Sequence, residues 1–317
     1  MKLSKPLKIF LFGNCQTRVL FNALRSYSNL IDASYVCDVQ DFKEENVNAS
    51  IDLVRATDVF IYQHVNNTIF PISSNELLKN LNPNALSISI PSMYFDGYWP
   101  NLLDLYMGNI MPEITDGLLY TIIKNNRNID YITCKNMYVS LSQSIPEQFI
   151  LQHIEDSFER LESREILNNV DIPISQWLRE NYNSLPLFYS CNHPKKAVFN
   201  YVTNSIVSII ESKLNLQLLK NDFYLDYDLT SIDFIIYPVM SNVLRCFGIN
   251  SDSDLFHRYV RERFSSEYYI CQDFFAEYER YSSSLNLIKS DILTLNNSLL
   301  SKNALLNHLG INNQYES

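Results

Sequence analysis

The sequence predicts an α/β subdomain, a flavodoxin-like parallel sheet of about four strands, embedded in a predominantly α-helical body. Three observations carry that expectation. Short continuous apolar runs, the pattern of strands buried on both faces, recur between residues 8 and 90. Helical stretches separate them, so successive strands run parallel through right-handed crossovers. From Leu102 onward, apolar residues recur at helical spacing instead.

Taken in order, Lys8-Ile9-Phe10-Leu11-Phe12 reads as the first strand, stopped by Gly13, where the missing side chain permits a tight turn or a close approach. A helix over 16–27 follows. Residues 33–39 read as a second strand, 51–55 as a short helical segment, 58–62 as a third strand, 75–81 as a helix and 86–90 as a fourth strand. The expected strand order is second, first, third, fourth. It makes the first and third strands neighbours, and ligands bind beyond the carboxyl ends of strands at such a switch point. Cys15 and His64 follow those two strands, so both are expected to face one crevice.

The aromatic loop 91–100 either walls a pocket or clasps the next part of the chain. Residues 147–161, 164–169, 174–181, 195–219, 258–278 and 285–309 then read as helices, the fourth beginning just after Pro194. Residues 224–228 are acidic and aromatic, and 234–238 form a short apolar segment. No repeat or low-complexity linker interrupts the chain. Residues 1–101 are therefore expected as the α/β subdomain, and 102–317 as a mainly helical part packed on it in one compact unit.

Composition excludes several function classes. The chain has 317 residues, 46% of them hydrophobic, enough for a sizeable core. Only six glycines occur and they do not cluster, so a glycine-rich phosphate loop is excluded. A net charge of -10 argues against a general nucleic-acid surface. No apolar run is long enough to span a membrane. Lys2, Lys5 and Lys8 before an apolar patch could imitate a signal peptide, but Ile9 to Phe12 is too short an apolar core, so a cytoplasmic location is expected. The six cysteines at 15, 37, 134, 191, 246 and 271 show no CxxC pair, which reads as reduced thiols without a disulfide framework or metal site.

Chemistry is expected where the first strand hands over to its helix, at Gly13-Asn14-Cys15-Gln16-Thr17-Arg18. A cysteine near a helix N-terminus meets unpaired N–H groups and the positive end of the macrodipole, which favour the thiolate and predict a lowered pKa. The alternative is an inert buried thiol, the usual fate of free cysteines. A cysteine nucleophile needs a base and a group to orient that base. His153 and His257 lie in helical stretches and His308 near the C-terminal end. That leaves His64 and His193. His193 lies in Ser190-Cys191-Asn192-His193-Pro194, where the proline forces it out of the α region and can aim its ring into a cleft; the same segment could equally serve as a helix cap.

Gly13-Asn14-Cys15-Gln16 after a first strand, with Tyr62-Gln63-His64-Val65 and Asn192-His193-Pro194 later, resembles the WcbI-like polysaccharide biosynthesis proteins. The resemblance covers the N-terminal hundred residues and one later patch. It implies coenzyme A or acetyl-CoA as cofactor and a papain-like Cys-His-Asn arrangement. Cys15 matches the nucleophile and His193 the base, with His64 competing for that role and the orienter left open between Asn192, Asn66 and a residue of the helical body. N–H groups of Cys15 and Gln16, with the Asn14, Gln16 or Gln63 side chain, would hold an oxyanion. Gly13, Asn14, Arg18, Gln63, Lys195 and Lys196 would contact coenzyme A, the three cations taking its phosphates. The implied activity is transfer of an acetyl group to a hydroxyl of a capsular or other surface-polysaccharide sugar, free or as a nucleotide sugar. A hydrolase with the same site, or a non-catalytic coenzyme A or nucleotide-binding protein of a polysaccharide assembly system, are the alternatives.

Overall fold

The computed structural model describes residues 5–39, 42–66, 70–104, 114–126, 128–184, 186–221 and 239–247. They divide between two compact units, one drawn from Met1–Phe95 and Ser157–Ile236 and the other from Asp96–Asp156 and Tyr237–Ser317.

The first unit is built on four parallel strands: β1 (Leu7–Gly13), β2 (Ile31–Asp38), β3 (Val59–Gln63) and β4 (Leu86–Ile90). Their order is β2-β1-β3-β4, as the apolar runs predict. Ile9 pairs with Val59, Val59 with Leu86, and Gly13 with Asp38, so the carboxyl ends of β1, β2 and β3 finish together. Ile9 to Phe12 and Val59 to Ile61 are buried completely or nearly so, which explains why these strands read as unbroken apolar runs rather than alternating ones.

On one face Phe10, Phe60 and Tyr62 stack at centroid distances of 5.6 and 5.1 Å. Val54 of α2 (Val47–Ala56) and Leu77 of α3 (Ser74–Asn80) close over them. The start of α3 follows from a Ser-x-x-Glu capping box. Ser73 Oγ accepts from the Glu76 N–H at 3.2 Å, and Glu76 Oε2 accepts from the Ser73 N–H at 2.8 Å. α1 (Gln16–Tyr27) packs against α8 (Lys196–Leu214), whose buried stripe is Val198, Phe199, Val202, Ile206 and Ile210.

Two sequence expectations change. The separate helices at 147–161 and 164–169 are one helix, α6 (Glu147–Asn168), because no glycine or proline interrupts the stretch; it stops where Asn169 turns left-handed at φ 45°. The helix expected over 195–219 ends five residues early, at Leu214, where Asn215 adopts φ 49°. Loop 91–100, for which the sequence leaves a pocket wall and an apolar clasp both open, contributes buried rings to each unit. Phe95 lies 4.8 Å from Phe158 and 5.8 Å from Phe188 in the first unit, while Tyr98 lies 4.8 Å from Phe247 in the second. The first unit also holds α7 (Ser175–Asn181) and a small antiparallel pair, β7 (Phe188–Ser190) with β8 (His193–Pro194).

The second unit carries the antiparallel pair β5 (Leu102–Asp104) and β6 (Ile114–Asp116), then α4 (Gly117–Asn125), α5 (Tyr131–Gln143), the first part of α6, and α9 (Ser241–Cys246). Asp116 organises it. Buried in the core, it accepts from the Leu118 and Leu119 N–H groups at 2.9 and 3.1 Å as the N-cap of α4, and from Tyr138 Oη and Asn101 Nδ2. The expected segments at 224–228, 234–238, 258–278 and 285–309 lie outside the described residues, as do His257 and His308. Among the described residues no helix is long and apolar enough to cross a membrane, and no cluster of His, Cys, Asp and Glu could hold a metal.

Candidate active site

β1 delivers Gly13 to the sheet edge beside the end of β3, and the Gln63 side chain turns across it. A Cβ on Gly13 would overlap Gln63 Oε1 and lie 2.8 Å from Thr17 Cγ2, so the glycine is there to admit an amide of the protein itself. Gln63 Oε1 accepts from the Asn14 N–H at 2.8 Å, and its Nε2 donates to Gln16 Oε1 at 2.9 Å and to the Pro91 carbonyl at 3.1 Å. Asn14 Oδ1 accepts from the Gln16 N–H at 3.0 Å, and the Asn14 carbonyl accepts from the Thr17 N–H at 2.9 Å, which starts α1.

Gln16 is 2% exposed and its side chain is fully used. Nε2 donates to the carbonyls of Met93 at 2.9 Å and Asn192 at 2.8 Å, while Oε1 accepts from the Met93 N–H at 3.0 Å and from Gln63. Both amide protons of Gln16, and both of Gln63, are therefore engaged within the protein. Neither side chain is an oxyanion donor in this arrangement. They act as a buried zipper joining the end of β1, the end of β3, the loop after β4 and the turn between β7 and β8. The bond to Asn192 ties the residue after Cys15 to the residue before His193.

Cys15 sits at the N-cap position of α1, where its side chain makes no capping bond to the first turn. The helix N-terminus alone predicts a lowered pKa, and the structure reverses it. Burial pushes the Cys15 thiol up and the Asp38 carboxylate pushes it further; the Arg18 guanidinium and the N–H groups of Cys15 and Gln16 only partly oppose them. Asp38 is 8% exposed at the end of β2, and Arg18 Nε holds its Oδ2 at 3.2 Å. Arg18 is thus a cation already anchored to a carboxylate.

This balance gives a testable titration. Cys15 should alkylate ever faster as pH rises past 9, yet ahead of Cys37 and Cys134, whose burial places them at about 12 and about 11. Asp38→Asn removes a raising charge and leaves the Arg18 cation unopposed, so alkylation at neutral pH should quicken about tenfold. A rate that levels off below pH 8 in the intact protein, read by mass spectrometry, would contradict the assignment.

His193 faces its cross-strand partner Ser190: Nδ1 lies 2.5 Å from Ser190 Oγ, which in turn lies 3.0 Å from Asn192 Oδ1. Burial lowers its pKa to about 4, so the imidazole is neutral at pH 7. Asn192 thus meets the imidazole through a serine. His64 goes elsewhere. Side chains alternate along a strand, and with Gln63 turned toward Asn14, His64 is exposed, packs 5.2 Å from the Tyr62 ring and faces the Asn168 carbonyl and Asp171. Partial burial lowers its pKa, and those two neighbours oppose the shift. Asn66 is exposed.

Lys195 is the N-cap of α8 and Lys196 its first residue; Lys195 Nζ lies 5.2 Å over the Tyr189 ring. Sequence reasoning missed Ser190 and Asp38. A Ser-x-x-His spacing flanking a two-residue turn was the available signal for the first, and the strand order, which sets Asp38 beside Gly13, for the second.

A family model described as polysaccharide biosynthesis enzyme WcbI matches residues 8–214. Among solved structures, one described as WcbI, a novel polysaccharide biosynthesis enzyme, as the native protein without a disulfide bond between coenzyme A and a cysteine, matches with a TM-score of 0.57. It is 18% identical, and the match covers 85% of this chain and 99% of that one. No curated protein matches.

Proposed function

We propose, from the premise that this chain belongs to the WcbI family of polysaccharide biosynthesis enzymes, that it is a cytoplasmic O-acetyltransferase. It moves an acetyl group from acetyl-CoA to a hydroxyl of a surface-polysaccharide sugar, capsular or otherwise, free or nucleotide-linked. The observation that carries the reading is the 2.8 Å bond from Gln16 Nε2 to the Asn192 carbonyl, because it fastens the Cys15 loop to the His193 loop. The solved neighbour's description, which names coenzyme A beside a cysteine and specifies the native protein without a disulfide bond between the two, supports pairing the cofactor's thiol end with Cys15.

The donor set suits a polyphosphate. Arg18 lies one turn from Cys15, and Lys195 and Lys196 open the 19-residue helix α8, where the macrodipole adds positive potential. Coenzyme A, when bound, supplies the acetyl thioester. The chain's own residues do the rest. His193, neutral at pH 7, takes the proton that the Cys15 thiol or the sugar hydroxyl releases. The N–H groups of Cys15 and Gln16, aimed at the sulfur, favour negative charge there. With thiol and imidazole both neutral at rest, the proton moves during the reaction and not before it.

Calorimetry tests the cofactor. The intact chain should bind coenzyme A, more weakly as salt rises. Arg18→Met, Lys195→Met and Lys196→Met should each weaken binding about tenfold, the loss of one charge-assisted hydrogen bond. No heat with the intact protein would remove coenzyme A from the account, and binding indifferent to all three replacements would move the pocket elsewhere.

A further inference from the structure

We infer that Ser190 is the positioning residue for His193: its hydroxyl accepts the proton carried by Nδ1 and gives its own proton to Asn192, which leaves Nε2 as the basic nitrogen of the ring. The inference rests on the reading of His193 as the base.

Ser190 Oγ lies 2.5 Å from His193 Nδ1 and 3.0 Å from Asn192 Oδ1. A hydroxyl has one proton to donate and lone pairs to accept. If it donated to Nδ1, its oxygen would face the Asn192 carbonyl with no proton between two acceptors. If it donates to Asn192, the imidazole must donate through Nδ1, and both contacts are satisfied. In a neutral imidazole one nitrogen is the donor and the other the acceptor. Fixing Nδ1 as donor therefore fixes Nε2 as acceptor.

The backbone makes this contact durable. Ser190 and His193 are paired residues of β7 and β8, and only Cys191 and Asn192 lie between them. The turn is tied down on both sides, with the Phe95 N–H donating to the Cys191 carbonyl at 2.7 Å and Gln16 to the Asn192 carbonyl at 2.8 Å. The Lys195 N–H donates to the Leu187 carbonyl at 2.8 Å. Ser190 is 1% exposed, so water does not compete for its hydroxyl. Neither the catalytic proton nor the substrate needs to touch Ser190; its effect passes through the ring it holds.

The test is the ring's tautomer, read by nitrogen-15 NMR on the intact chain at pH 7 without coenzyme A. His193 should show a protonated Nδ1 and an unprotonated Nε2. An Nε2–H tautomer would overturn the inference outright. Ser190→Ala should turn the ring toward Nε2–H or a mixture, whereas Asn192→Asp, which keeps an acceptor for the serine proton, should retain Nδ1–H. A tautomer unchanged in Ser190→Ala would overturn the inference as surely. In acetyl transfer, Ser190→Ala should lower kcat about tenfold or more with KM for acetyl-CoA unchanged. Failure of the intact protein to bind coenzyme A or transfer acetyl would defeat the proposed function while leaving the tautomer result standing, so the two are tested apart.

Discussion

Replacing Gln16 by leucine should destabilise the protein by about 3 kcal/mol or more, although leucine fills nearly the same space and leaves no cavity. Four hydrogen bonds meet on this one side chain, which is 2% exposed. Removing it strands the Met93 N–H and carbonyl and one amide proton of Gln63, all in the interior, along with the half-buried Asn192 carbonyl. A buried polar group left unpaired costs about 1–3 kcal/mol, and local relaxation recovers part of that. By contrast, breaking the exposed bond from Gln176 Nε2 to Glu180 Oε1 should change stability by no more than about 0.5 kcal/mol.

Urea denaturation checks the prediction, with a lowered midpoint at unchanged slope. Gln63→Leu should behave similarly, since it strands the Asn14 N–H and the Pro91 carbonyl. The two losses should add to more than the double variant loses, because the residues share the bond from Gln63 Nε2 to Gln16 Oε1. A loss below about 1 kcal/mol for Gln16→Leu would mean that the amide zipper does not hold these loops.

The sheet was legible because a strand buried on both faces writes itself as a continuous apolar run. Ile9 to Phe12 and Val59 to Ile61 could be read directly, and their adjacency brings Gly13 beside Gln63. The position of Cys15 at the start of α1 was legible for the same local reason. The role of Gln16 was not. A glutamine is the same letter whether its amide meets a substrate or a backbone 176 residues away, and only the fold supplies the Asn192 carbonyl. The thiol's raised pKa was hidden because the helix N-terminus is a local feature, whereas the burial and the Asp38 carboxylate that outweigh it come from the tertiary structure. Ser190 escaped because β7 and β8 span three and two residues, too short for any periodicity. His64 follows from the same physics as Gln63: once one side chain of the pair turns toward Asn14, its neighbour turns to Asn168 and Asp171.

Cys15→Ser should lose acetyl transfer by a factor of about a hundred or more while the fold survives. Serine nearly matches cysteine in size, and the thiol makes no helix-capping bond that serine would forfeit. A hydroxyl at this position would need its proton removed by an imidazole that burial holds at about 4, a weaker base than an unperturbed histidine. The thiol, even raised by burial and by Asp38, remains the better nucleophile. The measurement that decides the account is the release of free coenzyme A thiol from acetyl-CoA, with mass spectrometry of the acceptor, by the intact protein and by Cys15→Ser, each with and without polysaccharide sugars. The account predicts thiol release and an acetylated sugar from the intact protein only when sugar is present, and a loss of both in Cys15→Ser. Thiol release that does not depend on sugar, or a Cys15→Ser protein that acetylates sugar at the parent rate, would contradict it.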